Sequence, residues 1–229
     1  MTHRRMYHLP VLLMFLSLPL LTLAQGTWSW SGRVHSELDW HTLETEHFNV
    51  HYHAGIEELA QVGADWAEQI RATLMAQMGI AQTPVIDIIF TSEDEIMNGY
   101  ALWTNQTFIW VDQNDAGIWL ENGKWLQQVL AHELQHIIYF NAVKSWLPQP
   151  WSFLISQTPG WFVEGLAEYL TENWRPYRSD LSHKYHVFNH KLDRMDPHHD
   201  GYSKVLLLTE EYGDSTLIKL VNQRQLGLN

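Results

Sequence analysis

His132-Glu133-Leu134-Gln135-His136 sets two imidazoles four positions apart with a carboxylate between them. On a helix, positions i and i+4 lie on one face about one turn apart. Two imidazoles placed that way can reach one Zn²⁺ at about 2.0–2.1 Å. Glu133 follows the first imidazole, so it flanks such a metal rather than binding it. From there a carboxylate can take a proton from a zinc-bound water whose pKa the metal has brought to about 7. With 14 histidines in the chain, a His-x-x-x-His pair is not rare. A glutamate at this place inside a helical stretch is rarer.

A catalytic zinc needs a third protein ligand and an open fourth position. The candidate is Glu164, in the stretch Pro159-Gly160-Trp161-Phe162-Val163-Glu164-Gly165-Leu166-Ala167-Glu168-Tyr169, which starts a helix after a Pro-Gly break. Trp161, Glu164 and Glu168 share one helical face by their i, i+3, i+7 spacing, and Phe162, Leu166, Tyr169 and Leu170 form the apolar face. Glu168, one turn beyond Glu164, is placed to accept a hydrogen bond from a ligand histidine. Gly165 and Ala167 are small enough to let another helix approach closely. A rival set is His183, His186 and His190, again at i, i+3, i+7, with His198, His199 and Asp200 beyond it. Helical spacing would allow a second site or an alternative third ligand there. The weak patterning of 176–200 instead predicts a polar, solvated segment. His35, His41, His47, His51 and His53 show no such geometry.

These side chains need a scaffold. Glu46 to His53 alternates Phe48, Val50 and Tyr52, as a half-buried strand does. Gly55 to Gly79 carries Leu59, Val62, Trp66, Ile70, Leu74 and Met78 at helical spacing and ends on glycine. Val85 to Phe90 is a strand after Pro84, and Tyr100–Trp103 with Thr107–Val111 forms a hairpin. Gly123 to about Asn141 is the helix bearing the histidine pair, with Leu126, Val129, Leu130, Leu134, Ile137 and Ile138 as its apolar face. Lys144 to Gly160 is a connector broken by prolines and glycine. Trp161 to Asn173 is a second helix, and Tyr202–Tyr212 and Ser215–Gln223 are two closing helices around Gly213. Strands in the first half and helices in the second predict an α+β domain with two lobes, and a groove between lobes is a common place for a site.

At the amino end, Arg4 and Arg5 precede the apolar run Val11–Leu23 and the small residues Thr22-Leu23-Ala24. Residues 1–24 therefore read as a secretory signal peptide, with 25–45 as a loosely held arm and 46–229 as the main domain. The expected location is outside the cytoplasm, periplasmic or extracellular. The chain is acidic, with formal net charge −12, so it is not expected to bind nucleic acid, nor a membrane after signal cleavage. The absence of cysteine excludes disulfides, thiolate metal sites and thiol nucleophiles.

HELQH followed by WFVEGLAEY resembles the gluzincin metallopeptidases, in which a Trp-x-x-Glu-Gly-x-Ala segment supplies the third ligand. The resemblance implies His132, His136 and Glu164 as ligands of one zinc per chain, Glu133 as base, and a zincin-like two-lobe fold. The fold it implies has an N-terminal mixed sheet and a C-terminal helical lobe. Zinc aminopeptidases of this clan carry Tyr-Glu-Lys-Gly where this chain has Tyr202-Ser203-Lys204-Val205. That match implies Tyr202 as a phenol donor to the developing oxyanion. Nothing in Tyr100–Asp112 matches their amine-binding Gly-x-Met-Glu-Asn strand. The chain is more similar to the broader peptidase MA-like domains, which begin with a strand like EHFNVHYH and carry an Asn-Gly segment like Asn98-Gly99. Several of those continue into a further domain, so 46–229 reads either as C-terminally incomplete, a fragment of a longer chain, or as a stand-alone version lacking the last helix. The resulting expectation is an exported zinc metallopeptidase, by preference an endopeptidase, acting on peptides or proteins. The rival expectation is a non-catalytic, zinc-stabilised exported binding or assembly module that has kept the fold and lost turnover.

Overall fold

The structure is a computed structural model and describes residues 35–94, 98–111, 124–143, 158–172 and 177–222. The proposed signal peptide, residues 25–34 of the arm, the loop 114–122 and most of the 144–160 connector lie outside these residues. By its contacts the chain divides into Met1–Glu37 and Leu38–Asn229. In the first unit, His35 Nδ1 lies 2.9 Å from Glu37 Oε1.

The second unit is α+β. Among the described residues its five strands are β1 (Trp40–Glu44), β2 (Phe48–His53), β3 (Ile86–Thr91), β4 (Asn98–Leu102) and β5 (Gln106–Trp110). They form one mixed sheet in the order β1-β2-β3-β5-β4. The β2–β3 and β3–β5 pairs are parallel, and β1 and β4 run antiparallel at the two edges. Among the described residues there are six α-helices: α1 (Glu57–Met78), α2 (Lys124–Ala142), α3 (Gly160–Glu172), α4 (Tyr177–Phe188), α5 (Pro197–Tyr212) and α6 (Ser215–Asn222).

The parallel β2–β3 pair needs a crossover, which α1 supplies. Phe48, Val50, Ile86, Ile88, Phe90 and Ile109 are fully buried on the face that receives the helices. Because those sheet residues are large, the side of α1 that meets them is small: Ala60, Gly63, Ala64 and Ala67. A Cβ on Gly63 would come within 2.5 Å of the Phe90 ring. This shifts the expected apolar face. Val62, counted there, is 42% exposed, while Leu59, Trp66 and Ile70 are only partly buried at its margin. Gly79 ends α1 in the left-handed region at φ 66°, as its place in the sequence predicts.

Two further differences from the sequence reading bear on the site. Trp40–Glu44, expected in a loose arm, is an edge strand held by antiparallel pairing with β2. The 176–200 stretch, expected to be poorly ordered in pattern, holds α4, a 3₁₀ turn (Leu192–Arg194) and the first turn of α5. Helix α4 escapes a periodicity reading because its apolar residues face outward: Leu181 is 77% and Phe188 82% exposed. Helix α5 begins five residues before the expected Tyr202, at an Asp196 N-cap whose side chain accepts from His198 N, with Pro197 in the first turn.

Helix α2 packs on the sheet through Leu130, Leu134, Ile137 and Ile138, all fully buried. Near its C-terminal end Asn141 Nδ2 donates to Asn105 Oδ1 at 2.6 Å. Asn105 sits at φ 63° in the β4–β5 turn, so this bond fixes the hairpin along the helix. Helices α3 and α5 touch backbone to backbone. A Cβ on Gly165 would fall 2.2 Å from Gly201 C, and one on Gly201 would fall 2.0 Å from Trp161 O. Lys204 Nζ lies 5.0 Å over the Trp161 ring and bonds Asp200 at 2.6 Å on the rim of the same contact.

No rotamer relieves a Cβ that strikes backbone, so Gly165→Ala must push the two helices apart. It is expected to lose at least the roughly 1–3 kcal/mol typical of overpacking. Urea unfolding beside Ala167→Gly, which removes a methyl instead of adding one, measures this.

Candidate metal centre

Helix α2 carries His132 and His136 on one face, and α3 brings Glu164 across from them. His132 Nε2 and His136 Nε2 are 3.1 Å apart. Glu164 Oε2 lies 3.3 Å from each of them. The three atoms thus form a nearly equilateral triangle. In a tetrahedral site with bonds of 2.0–2.1 Å, neighbouring ligand atoms stand about 3.3–3.4 Å apart. The donor set fits a divalent cation in size and in chemistry, with two imidazoles and one carboxylate. Among the described residues, His132, His136 and Glu164 form the group of His, Asp and Glu side chains able to hold a metal ion. The set His183, His186 and His190 forms no such group; His186 Nδ1 is turned back to Ser182 O at 2.7 Å.

Electrostatics point the same way. Burial holds the His132 ring neutral, lowering its pKa to about 4. At His136 burial acts in the same sense, but the hydrogen bond to Glu164 and the charges of Glu133 and Glu164 outweigh it and raise the pKa. Burial would raise Glu164, yet hydrogen bonds from His132, His136 and His198 hold its carboxylate far below the usual range. The pocket thus contains an ionised carboxylate and two buried nitrogen tips aimed at a common point. A proton serves one pair of these atoms at a time, whereas a cation serves all three. The side chains of His132 and His136 are 10% and 9% exposed, against 27% for Glu164, so solvent enters from the Glu164 side.

Glu133 is buried beside this triangle but does not join it. Burial raises its carboxyl pKa to about 7, and a hydrogen bond from the Ala101 backbone acts against that rise. The partner is edge strand β4, which runs directly over Glu133. A Cβ on Gly99 would stand 2.6 Å from both Cγ and Oε1 of Glu133 and 2.7 Å from Val129 Cγ2. Glycine at 99 is therefore what lets the strand close over the carboxylate.

Glu168 lies one turn beyond Glu164 on α3, 3% exposed, and its charge contributes to raising the Tyr202 pKa. Burial is the first cause of that rise, followed by Tyr169 and then Glu168. Tyr202 is itself buried, its ring 6.2 Å from that of Tyr169. The residue that α5 sets against Glu164 is His198, one turn before Tyr202, with Nε2 3.1 Å from Glu164 Oε2. The sequence reading left His198 in a solvated histidine-rich stretch. The signal that could have found it was Asp196-Pro197, a capping residue followed by proline, which places His198 in the first turn of a helix.

Compared with protein families and with curated proteins, the chain matches no family model and no curated protein.

Two outcomes are expected. Near-stoichiometric zinc should raise the melting temperature of the wild-type protein, and His136→Ala and Glu164→Ala should each lose most of that increment, as calorimetry with and without chelator would show. Gly99→Ala should leave zinc stoichiometry near wild type while displacing Glu133. A Gly99→Ala protein that loses its zinc instead would mean that the strand supports the ligands rather than the carboxylate.

Proposed function

We propose that this chain is an exported zinc metallopeptidase of gluzincin type, with a zincin-like two-lobe fold and His132, His136 and Glu164 as the metal ligands. The observation that carries the reading is the near-equilateral triangle of ligand atoms with a separate buried carboxylate, Glu133, alongside. The amino-terminal pattern of residues 1–24 supports export.

A divalent zinc ion held by His132, His136 and Glu164 would supply Lewis acidity, polarising a carbonyl and making water easier to deprotonate near neutral pH. The protein's own groups do the rest. Glu133, buried beside the three ligand side chains without joining them, is placed to act as the base that takes the proton from the attacking water and then gives it to the leaving amine. The Ala101 amide and the close passage of Gly99 keep that carboxylate from swinging away. Glu164 and the two histidines would fix the ion, and the greater exposure of Glu164 marks the side from which a substrate would approach. Tyr202, whose phenol burial keeps protonated, is the proposed donor to the developing oxyanion. Glu168 is proposed as a hydrogen-bond acceptor that steadies a ligand histidine. Endopeptidase action is proposed because the chain lacks the Gly-x-Met-Glu-Asn segment that holds a free amine.

Glu133→Gln should retain zinc and lose nearly all turnover, by a factor of at least 10² for a missing general base. Tyr202→Phe should lower kcat with little change in KM. Internally quenched, N-blocked peptides are the substrates to try. Cleavage confined to free-amine aminoacyl reporters would remove the endopeptidase assignment. Full activity in Glu133→Gln would remove the mechanism, and zinc binding with no turnover on any peptide would favour a binding module.

A further inference from the structure

We propose that His198, held by Asp196, is a positioning residue for the third metal ligand: its Nε2–H fixes the Glu164 carboxylate toward His132 and His136 and so strengthens cation binding. The inference rests on the metal-site reading above and adds to it a residue that the ligand set does not contain.

The argument starts from hydrogen-bond chemistry. His198 Nδ1 lies 2.9 Å from Asp196 Oδ1, and Nε2 lies 3.1 Å from Glu164 Oε2. An ionised carboxylate only accepts, so the ring nitrogen that faces Glu164 serves it by donating. His198 also stands outside the group whose ligand atoms lie within 4.8 Å of one another. It is thus a strut on Glu164 rather than a fourth ligand.

The strut is anchored at its far end. Asp196 Oδ1 accepts both the His198 backbone N–H, at 2.9 Å, and the His198 ring N–H, so one oxygen fixes the helix start and the orientation of the imidazole. Pro197 pre-sets the backbone between them. The ring also stacks on that of His132, with centroids 5.7 Å apart and 27° between planes. Strut length is set by the helix crossing, since Gly201 follows His198 by three residues and Gly165 directly follows Glu164. Where those glycines meet, no side chain can intervene to change the spacing. A glutamate side chain has three rotatable bonds. Freezing them before the ion arrives removes that entropy loss from the binding step.

The test is the zinc dissociation constant, measured on the purified full chain by competition against a chromophoric chelator. His198→Ala should weaken binding by about 10–100-fold, as loss of an outer hydrogen-bonding partner does, with stoichiometry still near one. Asp196→Asn keeps an oxygen able to cap α5 and should weaken binding less, in the same direction. His198→Gln, which retains an N–H donor, should recover part of the loss. If His198 acts through Glu164, then His198→Ala made in the Glu164→Ala background should leave the residual affinity unchanged. A destabilised helix would lower affinity in both backgrounds alike, and the metal-free melting temperature of each variant monitors that. A dissociation constant for His198→Ala within twofold of wild type, while Glu164→Ala loses zinc, overturns the strut and leaves the metal site standing. Zinc binding indifferent to Glu164→Ala overturns both. If His198→Ala does not fold, Asp196→Asn and His198→Gln decide the matter by the same criterion.

Discussion

Two imidazole nitrogens and a carboxylate oxygen are held a little over 3 Å apart in a largely buried pocket, and much of the surrounding structure exists to make that crowding tolerable. Burial of an ionised carboxylate is costly unless it is hydrogen-bonded or paired with positive charge. In the metal-free chain Glu164 obtains its compensation from His132, His136 and His198 together. The same helix α2 carries a second burden, since Gln135 is fully buried and neither of its amide atoms has a hydrogen-bond partner among the described residues. A helix with so many polar groups inside must be held by its apolar contacts, and Leu130, Leu134, Ile137 and Ile138 supply them on the sheet side.

The parts of this arrangement that sequence disclosed are those in which chemistry and periodicity coincide. HELQH falls on a strongly apolar helical stretch, so both the helix and the common direction of its histidines could be read from spacing. Gly165 announced a close helix contact, and the structure has one, against Gly201. Less could be read where the packing partner decides the pattern. The core side of α1 is a row of small residues because Phe48, Ile86 and Phe90 fill the space opposite, and no inspection of α1 alone reveals that. Trp40–Glu44 alternates weakly because an edge strand is half solvated on both sides. His198 was missed for a different reason. Its neighbours have no apolar period, and the local cue, Asp196-Pro197, marks a helix start without saying which helix the new turn will meet.

Edge strand β4 illustrates how a remote bond serves the site. The Asn141–Asn105 contact joins the end of α2 to the β4–β5 turn. Further up the same helix, Gly99 passes over Glu133, and the Ala101 amide reaches its carboxylate. The hairpin is pinned at its turn and lies flush at its glycine, so the height of the strand above the carboxylate is fixed from both ends. A carboxylate proposed as a base would benefit from this, because its reach is set by a rigid element rather than a loop.

The backbone contact at Gly165 and Gly201 also has a thermodynamic meaning. Helix α2 by itself offers an ion two imidazoles. Only when α3 is docked against α2, with α5 locked onto it, does the carboxylate join them. For a cation held by all three groups, whatever factor the docked helices add to its affinity must equal the factor by which the ion favours docking, because the two equilibria form a closed cycle. Such an ion and the helix pair would be reciprocal effectors: scarcity of the ion would loosen the two helices, and any contact that tightens them would raise the chain's claim on the ion. The bare glycine contact makes this coupling stiff, since where Gly165 meets Gly201 there are no rotamers with which to absorb a displacement.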